Sequence, residues 1–162
     1  MKKHYDVAVI ATDPGETTGI VFALLKDGEV KVTKFYEADF LMTLEDILFS
    51  ILNQIYSEDT PVDEIILVQE HPTIGKFAAA PARVEGYIKG FCKGIKLLAY
   101  ECGIHTPFSV REFYPSQRTS MLAQAKEIVK LAGYSSGHIV DAMAHFLTWK
   151  KLYLKEMEAR KC

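Results

Sequence analysis

No apolar run in this 162-residue sequence is longer than a strand, so it offers no transmembrane helix. Met1-Lys2-Lys3-His4 runs straight into strand-like sequence without the apolar core of a secretory signal, and the expected location is cytoplasmic. Cysteine is scarce. Cys92, Cys102 and Cys162 are odd in number and fit no metal-ligand spacing, which leaves them as free thiols of a reducing compartment. Internal repeats, low-complexity tracts and linkers are missing too, so residues 1–162 are expected to form a single domain around one core. A strong charge of either sign is also lacking: the net charge is −2, mildly against a nucleic-acid binder until it is mapped along the chain.

Mapping changes the picture. Residues 1–75 carry 5 Lys/Arg against 14 Asp/Glu, residues 76–130 carry 9 against 4, and residues 131–162 carry 5 against 3. A basic block inside a mildly acidic chain is able to build a phosphate-facing surface, although solvated basic faces are common.

Apolar runs predict strands near 5–12, 19–25 and 29–37, the last two joined by the hairpin turn Lys26-Asp27-Gly28. A helix is expected over 43–56, with Thr43 as N-cap and Asp46 at N3. Ile65-Ile66-Leu67-Val68 suits a strand buried on both faces. Helices follow near 82–102, 119–132 and 137–158, with a fifth strand from Ile104 to Val110 and a tail expected to fray from Glu156. Three antiparallel strands followed by strands alternating with helices imply an α/β fold: a five-stranded mixed sheet flanked by helices.

Two of these strands end in carboxylates, Asp13 and Glu70, which emerge together if the strands are neighbours. The last helix adds His138 and Asp141, whose i, i+3 spacing puts them on one face near its capping Ser135-Ser136. Each residue has a plainer reading: Asp13 bracing the turn, Glu70 as a strand-end charge, His138 and Asp141 as decoration of a helix N-terminus. Together, three carboxylates and one imidazole make an oxygen-rich site that suits Mg²⁺ or Mn²⁺ and not structural zinc.

Val9-Ile10-Ala11-Thr12-Asp13-Pro14-Gly15 with Thr18-Gly19, then Val68-Gln69-Glu70, then His138-Ile139-Val140-Asp141-Ala142 closely resemble the acidic motifs of RuvC-type Holliday junction resolvases. The resemblance spans nearly the whole chain in order and spacing. It implies an RNase H-like fold and a homodimeric, metal-dependent endonuclease that nicks two opposed strands of a four-way DNA junction. Asp13, Glu70, His138 and Asp141 would hold two Mg²⁺ ions, with Mn²⁺ able to substitute, and the products would carry 5′-phosphate and 3′-hydroxyl ends.

The resemblance also draws attention to Arg118 and Lys126, in the segment where similar resolvases place lysines near the scissile phosphate; plain surface charge is the other reading. Lys76 and Phe77, in the loop after Glu70, are candidates for phosphate contact and for stacking on bases at the crossover; loop packing is the other reading of Phe77. Arg83, Lys89 and Lys93 are further DNA-binding candidates.

In the helix 82–102, Val84, Ile88, Phe91, Ile95, Leu98 and Cys102 form one apolar face, and Gly86, Gly90 and Gly94 form a second stripe. Glycines inside a helix cost about 1 kcal/mol each relative to alanine, so close approach by other backbone should offset them. A partner helix across a dimer interface and tight packing within the subunit both satisfy that demand. His145, one turn beyond Asp141, is placed to touch the site or a phosphate, but a packed or solvated histidine is the favoured reading; Trp149 and Tyr153 read as core or helix-packing residues. Rival functions are another RNase H-like nuclease acting on RNA or in DNA packaging, a junction-binding module without cleavage, and an ATP-binding actin-like fragment, whose first phosphate loop Asp13-Pro14-Gly15 with Thr17-Thr18-Gly19 also resembles.

Overall fold

Alternation along the first strand decides the layering. In β1 (Tyr5–Asp13), Val7, Val9 and Ala11 face one way and Ala8 and Ile10 the other, and all five are fully buried. A strand buried on both faces must be central, and β1 lies between β2 (Thr18–Lys26) and β4 (Val62–Glu70) in a five-stranded sheet. The strand order is β3-β2-β1-β4-β5, with β3 at Glu29–Ala38 and β5 at Phe108–Phe113. β1, β2 and β3 pair antiparallel, whereas β1, β4 and β5 run parallel. This is the mixed sheet, first three strands antiparallel and flanked by helices, that the sequence implies. The computed structural model describes residues 2–57, 60–71 and 79–162.

Helices cover both faces. α1 (Leu41–Ile55) and α2 (Ala79–Glu101) pack over Ala8, Ile10, Ile20, Phe22, Ile65 and Leu67. The other face carries α3 (Pro115–Arg118), a 3-10 turn (Thr119–Met121), α4 (Leu122–Leu131) and α5 (Gly137–Arg160). Ile139, Ala142, Met143 and Phe146 of α5 close over Val9, Ala11, Val21 and Val68, and Trp149 is buried as expected.

Several boundaries differ from the sequence expectation, each for a local reason. α1 begins at Leu41, with Phe40 as N-cap, so Thr43 and Asp46 lie inside it. Only two residues separate the end of β3 from the helix, and the bond from Leu44 N–H to the Phe40 carbonyl (2.9 Å) starts it before the Thr43 cap signal. β5 begins at Phe108 because Pro107 has no N–H to give; its carbonyl accepts from Ile65 N–H at 2.8 Å instead. The predicted helix 119–132 is divided into the 3-10 turn and α4, and α3 precedes it. Pro115 at the first helical position and Gln117 Oε1, which accepts from Tyr114 N–H at 2.8 Å, start α3 early. α5 continues to Arg160, so the tail is helical past Glu156.

The apolar face expected on α2 is only half right. Ile88, Cys92 and Ala99 are buried, whereas Leu98 is 64% exposed and Cys102 is exposed. The hairpin turn is as expected, with Asp27 (φ 53°) and Gly28 (φ 77°) both in the left-handed region that a two-residue connection requires.

Candidate metal centre

Because β1 and β4 are parallel and pair Thr12 with Gln69, their next residues, Asp13 and Glu70, emerge at the same carboxyl end of the sheet. Both fall on the face covered by α5, continuing the lines Val9-Ala11 and Ile66-Val68. On the opposite face, the buried Gln69 amide donates to Thr12 Oγ1 at 3.0 Å and pins the register beneath them. The turn after Asp13 is held by Thr18, whose hydroxyl donates to the Gly15 carbonyl (3.3 Å) and accepts from Gly15 N–H (3.4 Å).

α5 reaches this edge because Gly19 lets it. A Cβ at Gly19 would lie 2.0 Å from the His138 carbonyl oxygen, so only glycine admits the first turn of α5 so close to β2. Gly19 pairs with Asp13 across the sheet, and the same approach therefore sets His138 beside Asp13. Ser136 caps the helix, accepting from Ile139 N–H at 3.4 Å, while its own hydroxyl donates to Glu37.

His138 Nδ1 lies 3.3 Å from Asp13 Oδ2. The Arg118 guanidinium, at the end of α3, lies 4.0 Å from Asp13 Oδ1, 3.6 Å from Glu70 Oε2 and 2.9 Å from Asp141 Oδ1. The sequence-predicted Asp13, Glu70, His138 and Asp141 thus converge from three elements, with Arg118 among them.

His145, one turn beyond Asp141, reads from sequence chiefly as a packed or solvated histidine and otherwise as a contact of the site; it is both packed and part of this cluster. Its side chain is fully buried, with Nε2 3.2 Å from Glu70 Oε2. The signal was present in the spacing: His138, Asp141 and His145 stand at i, i+3 and i+7, one stripe of the helix.

Burial raises the Asp13 carboxyl to about 6; nearby Asp141 adds to this, while His138, Arg118 and His145 act against it. Glu70 goes the other way. Burial would raise it, but the hydrogen bond from His145 and the Arg118 charge outweigh burial and hold it below the usual carboxylate range.

Asp13, Glu70 and His145 each present a ligand atom within 4.8 Å of the others, a spacing one cation can span. Asp141 and His138 sit beside this group, joined to it through Arg118 and Asp13. Carboxylate oxygens with imidazole at the rim suit a hard divalent ion, so the residues present fit Mg²⁺ or Mn²⁺. A second acidic group, His4, Asp6 and Asp63, lies at the other end of β1 and β4. There Lys26 Nζ already meets Asp6 at 3.0 Å, and Asp27 N–H donates to the same carboxylate.

The remaining candidates are dispersed. Lys89 bridges Glu85 and Glu112, so its charge is taken up within the subunit. Arg83, Lys93 and Lys126 are exposed. Lys76 and Phe77 lie outside the described residues. Gly86, Gly90 and Gly94 face open space, with no described atom within 4 Å of a Cβ built on any of them, so packing within the described part of the subunit does not explain the stripe.

No protein-family model matches the chain, and no curated protein does. Among solved structures it is similar to the T. thermophilus RuvC in complex with a Holliday junction substrate, at 16% identity and a TM-score of 0.48, over 87% of this chain and 91% of that one.

Proposed function

We propose that the chain is a metal-dependent endonuclease of branched DNA, with the four-way junction as its substrate. One observation carries the reading: Asp13, Glu70 and Asp141, from three separate elements, converge within 4.0 Å of a single guanidinium, with His138 beside Asp13 and the buried His145 against Glu70. Structural ion pairs do not require three carboxylates at one strand edge. Their motifs resemble those of the junction resolvases, which supports the choice of substrate.

A divalent cation bound there supplies charge neutralisation at a phosphodiester and a water acidic enough to attack it. The chain's own residues do the rest. Asp13 and Glu70, fixed on adjacent strands, would hold the ion, with Asp141 and His138 of α5 beside them to complete its shell. His145, with Nε2 3.2 Å from Glu70 Oε2, keeps that carboxylate ionised and aimed. Arg118 is within reach of a phosphate seated at this edge and is suited to stabilise its developing charge. Exposed Arg83, Lys93 and Lys126 would contribute phosphate contacts, and so would Lys76, with Phe77 stacking on bases at the crossover.

Paired symmetric nicks require two such sites. We assign the dimer contact to the exposed glycine stripe of α2, whose open surface offers a second copy's backbone a close approach. The test is side-by-side digestion of labelled four-way, three-way, flap and linear duplexes with Mg²⁺, with and without EDTA. Mg²⁺-dependent paired nicks in the four-way substrate, with ligatable ends, are expected. Preferential cleavage of RNA or of linear duplex would move the chain to another nuclease class, and cleavage in EDTA would overturn the metal reading.

A further inference from the structure

Arg118 sits where three carboxylates meet, and the way it is held is unusual. Nη1 is buried, lies 2.9 Å from Asp141 Oδ1, and has no hydrogen-bond partner aligned with it among the described residues. A guanidinium locked permanently to a carboxylate normally makes the two parallel N–H···O bonds of a fork. Here the distances to Asp13 and Glu70 are 4.0 and 3.6 Å, contacts of charge and not of directional bonding. The side chain is 19% exposed and ends a four-residue helix, so it has a way out to solvent.

Three carboxylates at one edge repel each other, and the guanidinium offsets that repulsion. A divalent ion coordinated by the same oxygens would stand within a few ångströms of the guanidinium, and two cations do not share those oxygens without strong repulsion. We infer that Arg118 is the cage's own exchangeable counter-ion: it neutralises Asp13, Glu70 and Asp141 in the free chain and competes with the divalent cation for them. The inference rests on the reading of this cluster as a metal site. Its consequence is that the apparent cation affinity is lowered by the share of molecules in which Arg118 occupies the cage. Once displaced, the guanidinium is available to an incoming phosphate, so cation and DNA binding reinforce each other through one side chain.

The test is calorimetric titration of the DNA-free full chain with Mn²⁺, comparing wild type, Arg118→Gln and Arg118→Lys. Removing the charge in Arg118→Gln should tighten Mn²⁺ binding on the order of tenfold, while Arg118→Lys stays near wild type. Equal or weaker binding in Arg118→Gln overturns the inference. Wild-type protein carrying ¹⁵N-arginine gives a second readout that needs no variant. Saturating Mg²⁺ should move the Arg118 Nε–H resonance and speed its exchange with water, and an unmoved resonance overturns the inference just as directly. A wild-type chain that binds neither Mn²⁺ nor Mg²⁺ would bring down the nuclease reading itself, an outcome distinct from equal binding in all three chains.

Discussion

Gly19→Ala tests the construction of the site without touching any of its charged groups. The new Cβ would lie 2.0 Å from the His138 carbonyl oxygen, 2.2 Å from its carbonyl carbon and 2.7 Å from Ile139 N. All three are backbone atoms, so no rotamer change relieves the clash. Restoring an ordinary contact of about 3.4 Å requires the first turn of α5 to retreat by about 1.4 Å, or β2 to yield by the same amount. Overpacking of this kind costs about 1–3 kcal/mol and occasionally more. For a chain of this size each kcal/mol lowers Tm by roughly 2–4 °C, so a fall of roughly 2–12 °C is expected in a thermal melt. The retreat also carries His138 away from Asp13, and a 1 Å misplacement at a reacting centre costs on the order of 100-fold in rate. Melting followed by circular dichroism, with junction cleavage and Mn²⁺ titration on the same preparation, reads all three effects. A variant that melts with wild type and binds Mn²⁺ with unchanged affinity would refute the claim that Gly19 sets α5 against the strand edge.

Asp13→Asn, Glu70→Gln and Asp141→Asn should each reduce junction cleavage by more than about 100-fold, since even outer partners of metal ligands cost 10–100-fold. Gel-shift binding of the junction in Ca²⁺ or EDTA should persist in all three. Asp13, raised to about 6 by burial, binds its proton more tightly folded than unfolded. Its stabilising contribution is therefore complete below its unfolded value of 3.8 and lost as pH rises through about 6. A bound cation removes the penalty on the ionised form, so Mg²⁺ should raise Tm more at pH 7.5 than at pH 5; an equal rise at both would contradict this. His145→Phe deletes the donor to Glu70 and should cost about 1.5–3 kcal/mol in a denaturant melt, along with weaker Mn²⁺ binding. Among the described residues nothing lies within 4 Å of a Cβ at Gly90, so Gly90→Ala should stabilise the helix by about 1 kcal/mol in an isolated monomer. If a second copy packs there, the same change weakens the dimer, as read by sedimentation equilibrium.

The elements that carry the site were legible because their physics is local. Val7 to Ala11 and Ile65 to Val68 are apolar runs with no alternative to a buried strand, and each ends in the carboxylate that matters. Their adjacency stays conditional in the sequence and is decided by the parallel pairing of β1 with β4. What local pattern could not supply was the third dimension of α5. His145 follows Asp141 by one turn, which makes contact with the site one of its readings, but only the sheet beneath shows that its ring is buried against Glu70. Arg118 was singled out for a phosphate; its contact with all three carboxylates depends on where Pro115 starts a short helix after β5. On α2, Leu98 and Cys102 continue the apolar periodicity yet are exposed, which the period alone does not reveal. Gly19 stood within a quoted motif without a role, since a glycine's reason is the backbone that approaches it.

A manganese-soaked crystal of the wild-type chain, recorded for anomalous scattering, tests the central claim most directly. Anomalous density is expected between Asp13 and Glu70, within coordinating distance of both, with the Arg118 guanidinium moved away. Density confined to the His4, Asp6 and Asp63 group, or none near Asp13 at saturating Mn²⁺, would contradict it.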